Sequence, residues 1–199
     1  MAEEETDVAH TGWYTRFERF ESILLFAGVG SLLVSFIGLG LLPALEIGDQ
    51  VEKNTPETYQ AMTAEEQHGF EIYQREGCAY CHSQFVRTTD ADEVRWGQAA
   101  EAWEYQDQYP QQWGTRRIGP DLSRLAGVYS DDWHLAHLYN PRSTVPDSIM
   151  PSYPWLFDEG PDGEVTPTRE GEALVAYLQS LGENMRVAGP QTDGEQGKL

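Results

Sequence analysis

Residues 77 to 82 read GCAYCH and hold the chain's two cysteines, Cys78 and Cys81, with His82 directly behind the second. Three chemistries use a pair of thiols at this spacing. The pair can close a small redox disulfide, supply half of a zinc site, or add across two vinyl groups of a haem to form thioethers. Only the third has a use for the adjacent histidine: with both sulfurs tethered, the imidazole falls beneath the iron and ligates it. A tetrahedral zinc site needs two more ligands. The chain has no second cysteine pair, and His10, His68, His134 and His137 do not follow the first at finger-like spacing. A thioredoxin-like dithiol belongs in a βαβ context, of which the sequence carries no sign. The motif therefore reads as the attachment site of one covalent haem c, with His82 as an axial ligand.

Such a haem needs a sixth ligand. The methionines are Met1, Met62, Met150 and Met185. Met1 lies before a long apolar span, Met62 precedes the first helix of the domain, and Met185 follows its last. Met150 stands in VPDSIMPSYPWL, a loop stiffened by Pro146, Pro151 and Pro154, which presents a thioether at little ordering entropy. Met150 is the expected ligand, and His–Met ligation raises the potential. Its rivals are His134 and His137 in DDWHLAHL, three apart on one helical face. The other nitrogen of a ligating imidazole is usually held by a hydrogen bond, and the Pro120 carbonyl in IGPDLSRLAG is the expected acceptor from His82. Between His82 and Pro120 lie Arg87, Arg95, Arg116 and Arg117 with Trp96, Trp103 and Trp113. Arginines near the motif suit haem propionates. Arg87, Arg117 and Trp113 are the expected propionate side, with pairing to Asp90 or Glu93 the alternative.

Helices must frame these residues. TAEEQHGFEIYQREG carries a capping box, Thr63 with Glu66, then an apolar edge at Phe70 and Tyr73 and a stop at Gly77. TREGEALVAYLQSLG has Thr168 as N-cap, apolar residues at helical spacing and Gly182 as its stop. A third helix runs from Ser130 to about Asn140. One helix before the motif and one at the domain's end is the arrangement of class I cytochromes c, with Gly69 and Tyr177 as candidates for the crossing. The expected fold is mainly α: one N-terminal transmembrane helix plus an exported class I cytochrome c domain, with a long loop insertion between the haem motif and the Gly-Pro-Asp turn.

The span Ser22 to Leu45 carries no charge. At 1.5 Å per residue it reaches about 36 Å, enough to cross a hydrocarbon core of about 30 Å, and it is too long for a signal-peptide core. Trp13, Tyr14, Phe17 and Phe20 suit the membrane–water boundary. Arg16 and Arg19 on the near side, against Glu46, Asp49 and Glu52 on the far side, set a cytoplasmic N-terminus and an exported domain. Ala27, Ser31, Ser35 and Gly38 form a small-residue stripe of the kind that lets helices approach. The expected division is 1–21 cytoplasmic segment, 22–45 anchor, 46–61 linker, 62–185 cytochrome c domain and 186–199 flexible tail. A formal charge of −20, from 33 acidic and 13 basic residues, argues against nucleic acid. It suits either a general surface adaptation or an acidic docking face.

From about Gly69 to Leu156 the blocks YQREGCAYCHSQ, WGTRRIGPDL, YSDDWHLAHLYNPR and MPSYPWL, in that order, resemble the membrane-anchored monohaem subunit of the cbb-type cytochrome c oxidases. Phe85, Thr88 and Arg116 depart from residues common in that family, and none removes a ligand. The resemblance implies haem c on His82 and Met150 and electrons handed to the low-spin haem b of a large haem b/copper subunit. That subunit reduces oxygen to water and pumps protons. It also implies a companion dihaem cytochrome c subunit, a cytochrome c-like donor, and residence in the bacterial inner membrane with the haem domain on the periplasmic side. Two strong axial ligands leave this chain no oxygen chemistry of its own. The alternative is a free-standing anchored cytochrome c that shuttles electrons between complexes, which a linker of about sixteen residues limits in reach.

Overall fold

The computed structural model describes residues 7–188, with side chains from Phe20 to Val187. The segment 1–6, the greater part of the expected tail (189–199) and the side chains of Trp13, Tyr14, Arg16, Phe17 and Arg19 lie outside the described residues. The chain forms two compact units divided between Glu52 and Lys53.

The described residues of the first unit are helical: α1 (Asp7–Ser35), a π-helical stretch (Phe36–Leu41) and α2 (Leu42–Asn54) follow one another without a break. Pro43 accounts for the π-helical stretch, because its ring has no N–H to donate and crowds the carbonyl one turn back, which widens the helix just before it. Phe26, Val34 and Leu39 are exposed along this helix, and none of its apolar window is buried inside the protein. By length and composition Phe20–Asn54 is the candidate membrane span. α2 takes in 46–54, the first half of the expected linker. Those residues are polar yet helix-competent, and Gln50 donates to Glu46 at 3.0 Å across one turn. The second half is pinned as well: the Tyr59 hydroxyl and the Met62 N–H both donate to Asp107 at 2.8 Å.

The second unit is built on α3 (Ala64–Arg75) and α7 (Arg169–Ser180), between which lie α4 (Asp90–Trp96), α5 (Asp131–Tyr139), α6 (Pro141–Thr144) and a short hairpin of β1 (Phe157–Glu159) and β2 (Val165–Pro167); α8 (Glu183–Ala188) ends it. β1 and β2 are antiparallel, with Asp158 opposite Thr166. α3 opens on the Thr63/Glu66 capping box, α5 on Ser130 and α7 on Thr168, each hydroxyl accepting a first-turn N–H. α8 carries Arg186 and Val187 beyond the expected domain end, tied by the Arg186–Glu183 pair.

The core lies where α3 meets α7. Phe70, Ile72 and Tyr73 from one helix and Ala173, Leu174, Tyr177 and Leu178 from the other are buried together with Leu122, Leu138 and Leu156. The approach is closest at Gly69, where a Cβ would stand 1.9 Å from the Ala173 carbonyl oxygen and 2.7 Å from Tyr177 Cβ. Only glycine permits it.

Candidate functional site

The motif begins where α3 must stop. Gly77 takes φ +72, the left-handed conformation that ends a helix, and Cys78–Tyr80 then forms a single 3-10 turn. The Cys78 carbonyl accepts from the N–H groups of both Cys81 and His82, at 3.1 and 3.0 Å, so the three motif residues share one tight turn. Neither cysteine is in a disulfide. Burial pushes the Cys78 thiol up to about 12, the reverse of the lowered value that makes a dithiol redox-reactive. Among the described residues, no three of His, Cys, Asp and Glu gather as a metal cage, which leaves the zinc reading without ligands.

His82 is fixed from behind. Its Nδ1 lies 2.9 Å from the Pro120 carbonyl oxygen. A carbonyl only accepts, so the proton sits on Nδ1 and the Nε2 lone pair is left for a metal. Burial lowers the imidazole's pKa and favours the neutral form that ligation requires. The turn carrying Pro120 is laced to the motif: Gly119 N–H donates to the Cys81 carbonyl at 2.9 Å and Leu122 N–H to the Ser83 carbonyl at 2.8 Å. Gly119 lies flat against the ring, and a Cβ there would stand 2.3 Å from Cε1. A Cβ on Gly114, at φ +66, would stand 2.5 Å from the His82 carbonyl oxygen. Neither glycine belongs to the sequence-derived site, and only their position near a ring-orienting proline could have signalled them.

Behind the motif, buried Gln84 joins three segments. Its side-chain amide pairs with the Tyr177 hydroxyl of α7 at 3.0 Å, and its carbonyl accepts from the Tyr105 hydroxyl. The expected insertion between His82 and Pro120 is thus tied to the core. It contains α4 and a 3-10 turn, Ala102–Tyr105, with Trp103 fully buried. Arg124 anchors that turn through Glu104 at 2.6 Å and the Gln98 and Ala99 carbonyls.

Of the three residues expected on the propionate side, Arg87 and Arg117 both bond to Asp92. Trp113 is half-exposed, its ring edge-on to Tyr105, and its carbonyl accepts from Gln84 N–H at 2.7 Å. Arg87 is exposed and gives its backbone N–H to Asp92. Arg117 is tied to protein groups on several sides. It donates to Ser83, to the Phe85 carbonyl and bidentately to Asp92, because the two carboxylates of Asp92 and Asp121 stand beside it in a half-buried cluster.

Met150 is half-buried and packs, like Cys78, against the core formed by α3 and α7. On α5, His134 is buried and its Nε2 has no hydrogen-bond partner among the described residues. His137 stacks on Trp133 at 4.7 Å and contacts Thr144 through Nδ1 at 2.6 Å. Burial and the neighbouring His82 both lower its pKa.

A neutral histidine with a free Nε2, two unpaired cysteines on the same turn and a glycine cradle against the ring fit the class of monohaem electron carriers. The family follows from comparison: the sequence model described as "Cytochrome C oxidase, mono-heme subunit/FixO" matches residues 15–169. The chain belongs to this family. Membership makes it an electron-transfer subunit of a cytochrome c oxidase, with a catalytic oxidase subunit as partner and haem as the expected group. No curated protein matches the chain.

Proposed function

We propose that Cys78 and Cys81 hold one haem c by thioether bonds, with His82 and Met150 as iron ligands, and that the domain relays single electrons toward the haem b/copper subunit. There oxygen is reduced to water with proton pumping. The bound haem supplies the one-electron chemistry. The rest falls to the chain. The observation that carries the reading is the His82 tautomer: the Pro120 carbonyl holds the proton on Nδ1 and leaves Nε2 to face a metal.

The helix crossing at Gly69 supports a class I cytochrome c domain, since it brings the helix before the motif against the last long helix. The proline-rich loop holds Met150 against the same core as Cys78. With His82 and Met150 both as ligands, a bound haem would have no open position for a small molecule, so it would exchange electrons and bind no substrate. The excess of arginine before the apolar span and of acid after it supports a cytoplasmic N-terminus and a haem domain on the periplasmic side of a bacterial inner membrane. A dihaem cytochrome c subunit that receives electrons first and a cytochrome c-like donor complete the assembly. A connecting segment of about sixteen residues gives a free shuttle limited reach.

Mass spectrometry of the gently solubilised assembly tests this. The expected result is one haem on this chain and comigration with a larger haem b subunit. A haem-bearing chain that migrates alone overturns the oxidase reading in favour of a free shuttle.

A further inference from the structure

Arg117 is the point where three stretches of chain are tied together. Its Nε donates to Ser83 Oγ at 2.7 Å, its Nη1 to Asp92 Oδ1 at 2.9 Å, and its Nη2 to Asp92 Oδ2 and the Phe85 carbonyl at 2.8 Å each. Asp92 thus grips the fork from α4 in the bidentate geometry in which an arginine–carboxylate pair is strongest. Asp121 closes the cluster. Its Oδ2 accepts from Ser83 Oγ at 2.6 Å and from Phe85 N–H at 3.0 Å, and lies 3.4 Å from Arg117 Nη2. Its Oδ1 accepts from Ser123 N–H at 2.9 Å. The Asp121 side chain is 1% exposed and Arg117 17%, so this is no solvated surface pair. Without the guanidinium, Asp121 would be a buried charge with no cation beside it in the cluster.

The cluster borders the one group that orients the ligand. Pro120, whose carbonyl receives the His82 proton, stands between Gly119 and Asp121. Gly119 is held through its backbone bond to Cys81, and Asp121 by Ser83 Oγ, the Phe85 and Ser123 N–H groups and Arg117. The 83–85 stretch meets the 119–122 turn through Leu122 N–H on the Ser83 carbonyl and through Asp121 on Ser83 and Phe85, and Arg117 braces that contact by holding Ser83 Oγ, the Phe85 carbonyl and Asp121 at once.

We infer that Arg117 is a positioning residue for His82: locked by Asp92, it keeps Ser83 and Phe85 in register with the Asp121 turn and so sets where the Pro120 carbonyl meets the imidazole. The inference rests on His82 being an iron ligand, as proposed above. A carbonyl held at hydrogen-bond distance draws on Nδ1–H and makes the ring a stronger donor, which favours oxidised iron. Slack in the turn weakens that bond and raises the potential.

Two variants of the full-length haem-loaded chain test it, Arg117→Lys and Asp92→Asn. Lysine keeps the charge and loses the planar fork. Asparagine keeps the size and loses half of the grip. Both are expected to retain haem and the low-spin spectrum, to raise the redox midpoint, and to speed exchange of the His82 Nδ1–H, followed by NMR of the reduced protein. The gain in exchange rate is about tenfold, the equivalent of one lost neutral hydrogen bond. A purely electrostatic part for Arg117 predicts a raised midpoint in Asp92→Asn alone, with exchange unmoved in both, and would overturn the inference. A merely structural part lowers the melting temperature and moves neither midpoint nor exchange, which overturns it equally. Should Arg117→Lys fail to accumulate, the exchange rate in Asp92→Asn decides. A wild-type chain without covalent haem removes the site reading and this inference together, whereas normal haem with unmoved variants removes the inference alone.

Discussion

A methyl group on Gly119 would stand 2.3 Å from Cε1 of His82 and 2.7 Å from its Nδ1. The ring cannot retreat without breaking its bond to Pro120, and the turn cannot retreat without breaking the Gly119–Cys81 bond. Gly119→Ala is therefore expected to tilt or displace the imidazole at a cost of about 1–3 kcal/mol. The haem should remain attached through the cysteines while the low-spin spectrum is lost. Haem staining and absorption spectra of the reduced protein, read together, check this.

Met150→Leu removes the proposed sulfur ligand and keeps the volume. The expected outcome is a covalently attached haem with an open sixth position, which binds carbon monoxide when reduced and has a lower potential than the wild type. An unchanged spectrum and potential would move the ligand elsewhere. His137, whose pKa the neighbouring His82 helps to lower, is then the next residue to replace.

Gly69→Ala tests the helix crossing. Its added Cβ meets a backbone carbonyl and the Cβ of Tyr177, neither of which is a flexible end that can swing away. α3 and α7 must separate, at about 3 kcal/mol, which for a domain of this size lowers the melting temperature by roughly 6–12 °C. Thermal melts followed at the helical circular-dichroism band read the shift.

The Arg117–Asp92 pair sets an acid limit. Its hydrogen bonds lower the Asp92 carboxyl from 3.8 to about 2. A carboxyl depressed on folding stabilises while it is ionised, so the contribution is whole above the unfolded value and disappears as pH falls from about 4 to about 2. Urea midpoints of the wild type and Asp92→Asn should differ at neutral pH and converge across that window.

The helices were legible where local chemistry decides them. Thr63 with Glu66, Ser130 and Thr168 are caps whose function depends on neighbours within one turn, and all three open helices. The GCAYCH turn and the Pro120 turn were legible because residue types at short spacing specify them. What escaped depends on tertiary approach. Gly119 reads as an ordinary turn glycine until a ring lies against it. Arg117 reads as a candidate for an anionic ligand, and nothing near it in sequence announces the bidentate bond it makes to Asp92, twenty-five positions earlier. Residues 46–54 read as linker because they are polar, yet polarity says nothing against a helix already under way.

The amide and carbonyl of Gln84 are shared between Tyr177 near the chain's end and Tyr105 in the long excursion after the motif, with all three residues buried. An excursion knotted to the interior in this way cannot melt by itself. It should gain and lose protection against deuterium in step with α7, so the excursion belongs to the same cooperative unit as the helix crossing and shares its resistance to local opening.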